Sequence, residues 1–310
     1  MAILKLKPAC KSYLWGGNKL KTEYHKDYPG DKLSETWELS CHPDGPSVIE
    51  GGTFTGRTLR EYIAAMGRRV LGSNCQVFRD FPILIKFIDA RDDLSIQVHP
   101  NNTDAMENEN QYGKTEMWYV LEAEPGAFLY YGFKRPISRA EFRERIERNT
   151  LTEVLNAVPV HKGDLFYIPA GTLHAICKGI VIAEIQQSSN VTYRVYDYGR
   201  VGADGMPRQL HAEQAMEVVK LEPPRTDYNF GGHLARSAYF TVDVAGPSDK
   251  ICCDDESFTS LLILEGEGKA VCGGEEVPCR KGDSLFIPAD SGWCELKGGV
   301  KALCTRVGTI

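Results

Sequence analysis

Short apolar runs separated by polar punctuation set the pattern of this chain. FPILIKFIDA (81–90), LSIQVHP (94–100), EMWYVLEAE (116–124) and AFLYYGF (127–133) are rich in β-branched and aromatic residues, and are continuously apolar or alternating. KGDLFYIPA (162–170), IVIAEIQQ (180–187) and VTYRVYDYG (191–199) continue the series. Such runs, bounded by Gly, Pro, Asn and Asp clusters, predict strands. Three segments instead carry helical signals. TLREYIAAMGRRVLG (58–72) opens on Thr58 as an N-cap, and SRAEFRERIERNTLTEVLNAV (138–158) opens on Ser138 with Glu141 completing a capping-box pattern. HAEQAMEVVK (211–220) is a shorter candidate. The prediction is a mainly β protein with short helical insertions.

The pattern also repeats. KGDLFYIPAGTLH (162–174) matches KGDSLFIPADSGW (281–293), and LLILEGEGKAV (261–271) resembles MWYVLEAEPGAF (117–128). Two related domains are therefore expected, 1–230 and 231–310. In the second copy Trp293 stands where His174 stands, and Thr259 falls opposite Glu116. That copy has lost metal-binding residue types, so a structural role is expected for it, with Trp293 as an apolar plug in its interior.

GDLFYIPAGTLH fits G-x5-P-x-G-x2-H, the second signature of the cupin β-barrel, whose glycines and proline aim one histidine inward. The fold this implies is two cupin (jelly-roll) barrels. Upstream, Gln97 and His99 are two apart on one strand face, and Glu116 follows in YGKTEMWYV. Two imidazoles, a carboxylate and an amide converging in a barrel make a site for a divalent metal ion.

LSIQVHP, GKTEMWYVL, PAGTLHAI and EIQQSSNVTYRVYDYGR, with the N-terminal K-x-Y-x-W-G-G and ETWELS, together resemble class I mannose-6-phosphate isomerase in its short bacterial form. The resemblance runs from about residue 8 to the end and is strongest over residues 81–200. It implies interconversion of mannose 6-phosphate and fructose 6-phosphate through a cis-enediol. It also implies Gln97, His99, Glu116 and His174 as ligands of one divalent ion per chain, zinc being the expected one. Lys86, Ser95 and Lys114 match positions around substrate and phosphate. Arg194 matches the family's catalytic arginine and, as a guanidinium that stays protonated at neutral pH, would stabilise an enediolate rather than act as a base. Glu184, Lys114 and a water on the metal remain alternatives for the proton-transferring group. A cupin dioxygenase, or a silent sugar-binding cupin, would fit the barrel. Gln97 and the cations count against the first, and the retained ligand set counts against the second.

Composition narrows the partners. The hydrophobic fraction is 42% and the net charge is -6, which disfavours nucleic acid and membrane surfaces. No run of 18 apolar residues occurs, and the first residues carry no apolar signal core, so a cytoplasmic location is expected, with a small sugar phosphate as partner and no obligate protein partner. The ten cysteines show no C-x2-C pair and are expected to be reduced, mostly buried thiols.

Overall fold

The computed structural model describes residues 3–201 and 205–308. Strands dominate it, as the alternation predicts, and they lie in open stacked sheets. The chain packs as two compact units. One gathers the segment up to Ser12, Asn18–Phe87 and the chain from Asn229 on; the other holds Tyr13–Gly17 and Ile88–Tyr228. The packing division is thus interleaved, whereas the repeat suggests a single boundary near 230. The cause is strand Leu4–Lys7, which pairs antiparallel with both Ser284–Ile287 and Val48–Glu50.

In the first unit, a seven-stranded sheet carries Thr259–Glu265 between Lys301–Arg306 and Ser284–Ile287. A four-stranded sheet runs Lys250–Cys253, Gly292–Gly298, Glu267–Cys272, Glu275–Arg280. Alternate residues of both, including Leu261, Ile263, Leu285, Ile287, Ala270 and Leu296, share one apolar core. In the second unit, Glu116–Ala123 lies between Leu165–Ile168 and Ile180–Gln187. A five-stranded sheet follows the order Tyr193–Tyr196, Ile96–Val98, His174–Ile176, Phe128–Phe133, Leu155–Pro159. Trp118, Val120, Ile168 and Ile182 of the former meet Leu129, Tyr131 and Ile176 of the latter in a common core. Strand Ile83–Ala90 runs through the division.

The repeat holds at the level of single backbone groups. Glu116 faces Ile168 across its strand pair, and Thr259 faces Ile287 in the same register. Gly163 and Gly282 both take φ +93° in the K-G-D turn, a conformation open chiefly to glycine. Asp164 then accepts from the His161 amide at 2.7 Å, and Asp283 from the Arg280 amide at 2.9 Å.

Helix Leu59–Met66 is capped by Thr58, whose hydroxyl accepts from the Glu61 amide while Glu61 returns to the Thr58 amide. Ser138 likewise caps Arg139–Glu147, but Glu141 turns to Arg135 at 2.6 Å, so only half of the expected box forms. That helix is shorter than 138–158: Asn149 takes φ +55°, and the alternating LNAVP becomes strand Leu155–Pro159. Helix Asn102–Glu109, capped by Asn101, was not read from the sequence, since it has almost no apolar face.

Two further expectations are corrected. Trp293 is no plug; it is 65% exposed. Gly292 takes φ +80° where the first copy has Leu173, and this local reversal sends Trp293 outward while Cys294 and Leu296 point into the core. Cys272 and Cys294, direct partners across two strands, form a disulfide with Cα atoms 4.3 Å apart, so not all cysteines are free thiols.

Trp293→Ala should therefore leave stability within about 0.5 kcal/mol of wild type. Leu296→Ala on the same strand should cost about 2–5 kcal/mol. Urea unfolding of the two variants, followed by circular dichroism, compares them; a large loss for Trp293→Ala alone would mean the ring packs inward after all.

Candidate metal centre

The PAGTLH turn does the positioning. Gly171 takes φ +88°, and its amide donates to the His99 carbonyl at 2.8 Å, tying the hairpin that carries His174 to the end of strand Ile96–Val98. His174 pairs directly with Gln97 across the strands, so both side chains leave the same sheet face. Glu116 arrives from the facing sheet, where Gln186 is its cross-strand partner.

His99, Glu116 and His174 are buried, and one donor atom from each lies within 4.8 Å of the others. His99 Nδ1 donates to the Val191 carbonyl at 2.8 Å, and His174 Nδ1 to the Thr172 carbonyl at 2.8 Å. A carbonyl can only accept, so each Nδ1 carries the proton and each Nε2 lone pair is left to point inward. His174 Nε2 stands 3.2 Å from Glu116 Oε1, and among the described residues neither atom has a hydrogen-bond partner. Both atoms can present a lone pair to the space between them. Such a pair suits a cation, and imidazole with carboxylate is a donor set that divalent transition ions accept. The residues fit the group.

Lys114 completes the charge pattern. Its Nζ lies 2.5 Å from Glu116 Oε2, 3.2 Å from His99 Nε2 and 3.6 Å from Glu184 Oε1. Burial alone would raise the Glu116 pKa; the Lys114 ammonium opposes it, and the carboxyl is held well below its ordinary range. Burial, reinforced by the Lys114 ammonium, pushes His99 well below the usual imidazole range and keeps it neutral. Trp118 packs edge-on against His174 with ring centroids 5.3 Å apart, and donates Nε1 to Glu184 Oε2 at 3.0 Å. Trp118 is an orienting residue that the sequence reading missed; its two-residue offset from Glu116 was the available signal.

The remaining expected residues separate. Arg194 is cross-strand from Gln97 and donates Nε to Ser95 Oγ at 3.1 Å, so Ser95, Gln97 and Arg194 form one group. Lys114 stays with the metal-ligand candidates. Lys86 belongs to the other unit; it is buried 3.6 Å from Glu35 and lies over the Trp37 ring at 5.2 Å. Arg200 and Arg208, near Arg194, had no place in the sequence reading.

Comparison with known proteins meets this geometry. Residues 3–124 match the family model "Phosphomannose isomerase type I, catalytic domain", and residues 232–307 match "Mannose-6-phosphate isomerase, cupin domain". The chain is 39% identical over 284 residues to mannose-6-phosphate isomerase of Streptococcus mutans, covering 89% of each chain. It is 35% identical to mannose-6-phosphate isomerase ManA of Bacillus subtilis, covering 98% of each. The crystal structure of the Bacillus subtilis mannose 6-phosphate isomerase superposes with a TM-score of 0.90 at 32% identity, over 98% of this chain and 99% of that one. With a family model at each end, relatives matched along nearly their whole length and a buried His-Glu-His cluster suited to a metal, the chain belongs to the type I mannose-6-phosphate isomerase family.

Proposed function

We propose that this chain interconverts mannose 6-phosphate and fructose 6-phosphate, moving a proton between C2 and C1 through a cis-enediol. The observation that carries this reading is the convergence of the His99, Glu116 and His174 donors in a chain whose relatives are named for that activity. Gln97, beside His174 on the same sheet face, is the fourth proposed ligand of one divalent ion. Zinc is the expected ion, since it accepts nitrogen and oxygen donors and leaves positions open. Polarisation of the sugar oxygens at C1 and C2 is the chemistry such an ion supplies when bound.

The chain's own groups do the rest. Glu184 is held by the Trp118 indole and lies near the Lys114 ammonium, an arrangement suited to taking a carbon-bound proton and returning it to the neighbouring carbon. Lys114 keeps both Glu116 and Glu184 within reach of a positive charge. Arg194 offers a fixed fork to the developing enediolate oxygen from the Gln97 side. Lys86, Ser95 and Lys114 remain the residues proposed around the substrate and its phosphate, Ser95 through its bond to Arg194 and Lys114 also at the reacting end. No helix among the described residues is long and apolar enough to cross a membrane. A cytoplasmic enzyme of free sugar phosphates is the proposed setting.

A coupled assay reporting fructose 6-phosphate from mannose 6-phosphate tests the reading directly. Purified protein should hold about one metal ion per chain, and the His99→Ala/His174→Ala double variant should lose both metal and turnover. Full metal content in that variant would place the ion elsewhere. Glu184→Gln should lower kcat by about 10²–10⁴ with metal content unchanged; a normal kcat would remove Glu184 from proton transfer. Arg194→Ala should lower kcat by about 10²–10³, with Arg194→Lys also impaired because the charge survives without the fork. A raised KM at constant kcat would make Arg194 a ground-state binding group instead.

A further inference from the structure

Asp197 follows strand Tyr193–Tyr196, is 6% exposed, and holds two guanidiniums at once. Arg208 donates Nε to Oδ2 at 2.7 Å and Nη2 to Oδ1. Arg200 donates Nη2 to Oδ1 at 2.5 Å, Nε to the Asp197 carbonyl at 3.3 Å, and Nη1 to the Asp93 carbonyl. It also stacks over the Tyr198 ring at 5.2 Å. Arg194 completes the cluster. It is bound to neutral oxygens, Ser95 Oγ and the Gln209 carbonyl, both at 3.1 Å. Among the described residues, two of these guanidiniums are held by Asp197, and the third, Arg194, lies beside them on neutral oxygens. The carboxylate of Glu109 is taken up by the Tyr193 hydroxyl at 3.2 Å, and that of Asp93 accepts from the Lys178 amide at 2.8 Å. Burial, then the charge of Arg208, lowers the Arg194 pKa from its ordinary value, as expected where like charges crowd. An anion there would relieve the crowding.

The three arginines are not equivalent. Arg200 spends Nε, Nη1 and Nη2 on protein carbonyls and Asp197. Arg208 spends only the Nε and Nη2 edge, and its side chain is 27% exposed. Among the described residues its Nη1 has no hydrogen-bond partner, and its charge acts on Arg194. The location suits the substrate of the reaction proposed above. Arg194, Gln97 and His174 lie in one cross-strand row, which sets Arg194 one strand spacing, about 5 Å, from Gln97 and two, about 10 Å, from His174. A hexose 6-phosphate carries its reacting carbons at one end and its dianion at the other.

Resting on that functional reading, we propose that Arg208 binds the 6-phosphate of the substrate and that Asp197 is its positioning residue, fixing the guanidinium plane with one edge turned out. Phosphate takes a planar fork well, and a bidentate carboxylate partner removes the rotational freedom that would otherwise weaken it.

The test compares wild type with Arg208→Ala, Arg208→Lys and Asp197→Asn, each checked for fold by circular dichroism and for metal content. The readouts are kcat and KM for mannose 6-phosphate and the inhibition constant of inorganic phosphate. Arg208→Ala should raise KM and the phosphate constant together by about ten- to a hundredfold with kcat little changed. Arg208→Lys should recover part of both, and Asp197→Asn should raise both while sparing kcat, a split that loss of folded protein does not produce. A folded Arg208→Ala enzyme with wild-type KM and phosphate inhibition overturns the proposal. Should that variant not fold, Arg208→Lys decides on the same two constants, and wild-type values there overturn it equally. A wild-type protein without mannose 6-phosphate turnover defeats the functional reading itself, an outcome separate from an indifferent Arg208.

Discussion

A fully buried carboxylate is the constraint on which the catalytic unit turns. Glu116 sits among apolar strands, where an uncompensated charge would cost several kcal/mol. Lys114 and two imidazoles converge on it from separate strands and loops. Each imidazole is locked by a carbonyl behind it, so its open nitrogen has one direction left. The strand order, the PAGTLH hairpin and the edge-on Trp118 are the means of keeping these groups together. The same arrangement makes the site suited to a divalent ion: the geometry that keeps Glu116 ionised also gathers the lone pairs.

Much of this was legible in the sequence because the signals were local. Gln97 and His99 alternate on one strand, and His174 ends a turn whose glycine and proline fix its path. The KGD turn repeats in residue type and backbone conformation, so the register of the second copy followed from the first. Other features were hidden because they depend on distant partners. Arg200 and Arg208 carry no local signal of their own; only the fold places their two guanidiniums on the buried carboxylate of Asp197. Lys86 interrupts an apolar strand, and Glu35 and Trp37, about fifty residues earlier, are partners that accompany its burial. The helix expected over 138–158 ran too far because its composition favours helix well beyond the left-handed turn at Asn149.

The two copies also show which parts of a motif are durable. Backbone chemistry survives in both: the left-handed glycine, the aspartate bound to the amide three residues before it, and the isoleucine opposite Glu116 or Thr259. Side-chain chemistry diverges freely, with threonine in the place of glutamate.

Gly292 carries this divergence one step further. Its left-handed backbone reverses which side of the strand residue 293 occupies, so loss of the site in this copy is written into the main chain as well as the side chains. A histidine restored at 293 would lie on the solvent face, with Cys294, already bonded to Cys272, still holding the inward position. The path back to a second metal centre is therefore closed to any single substitution at that position. Only a change that first straightened residue 292 would reopen it, which makes the asymmetry between the copies a property of chain geometry that point mutation of ligands cannot easily undo.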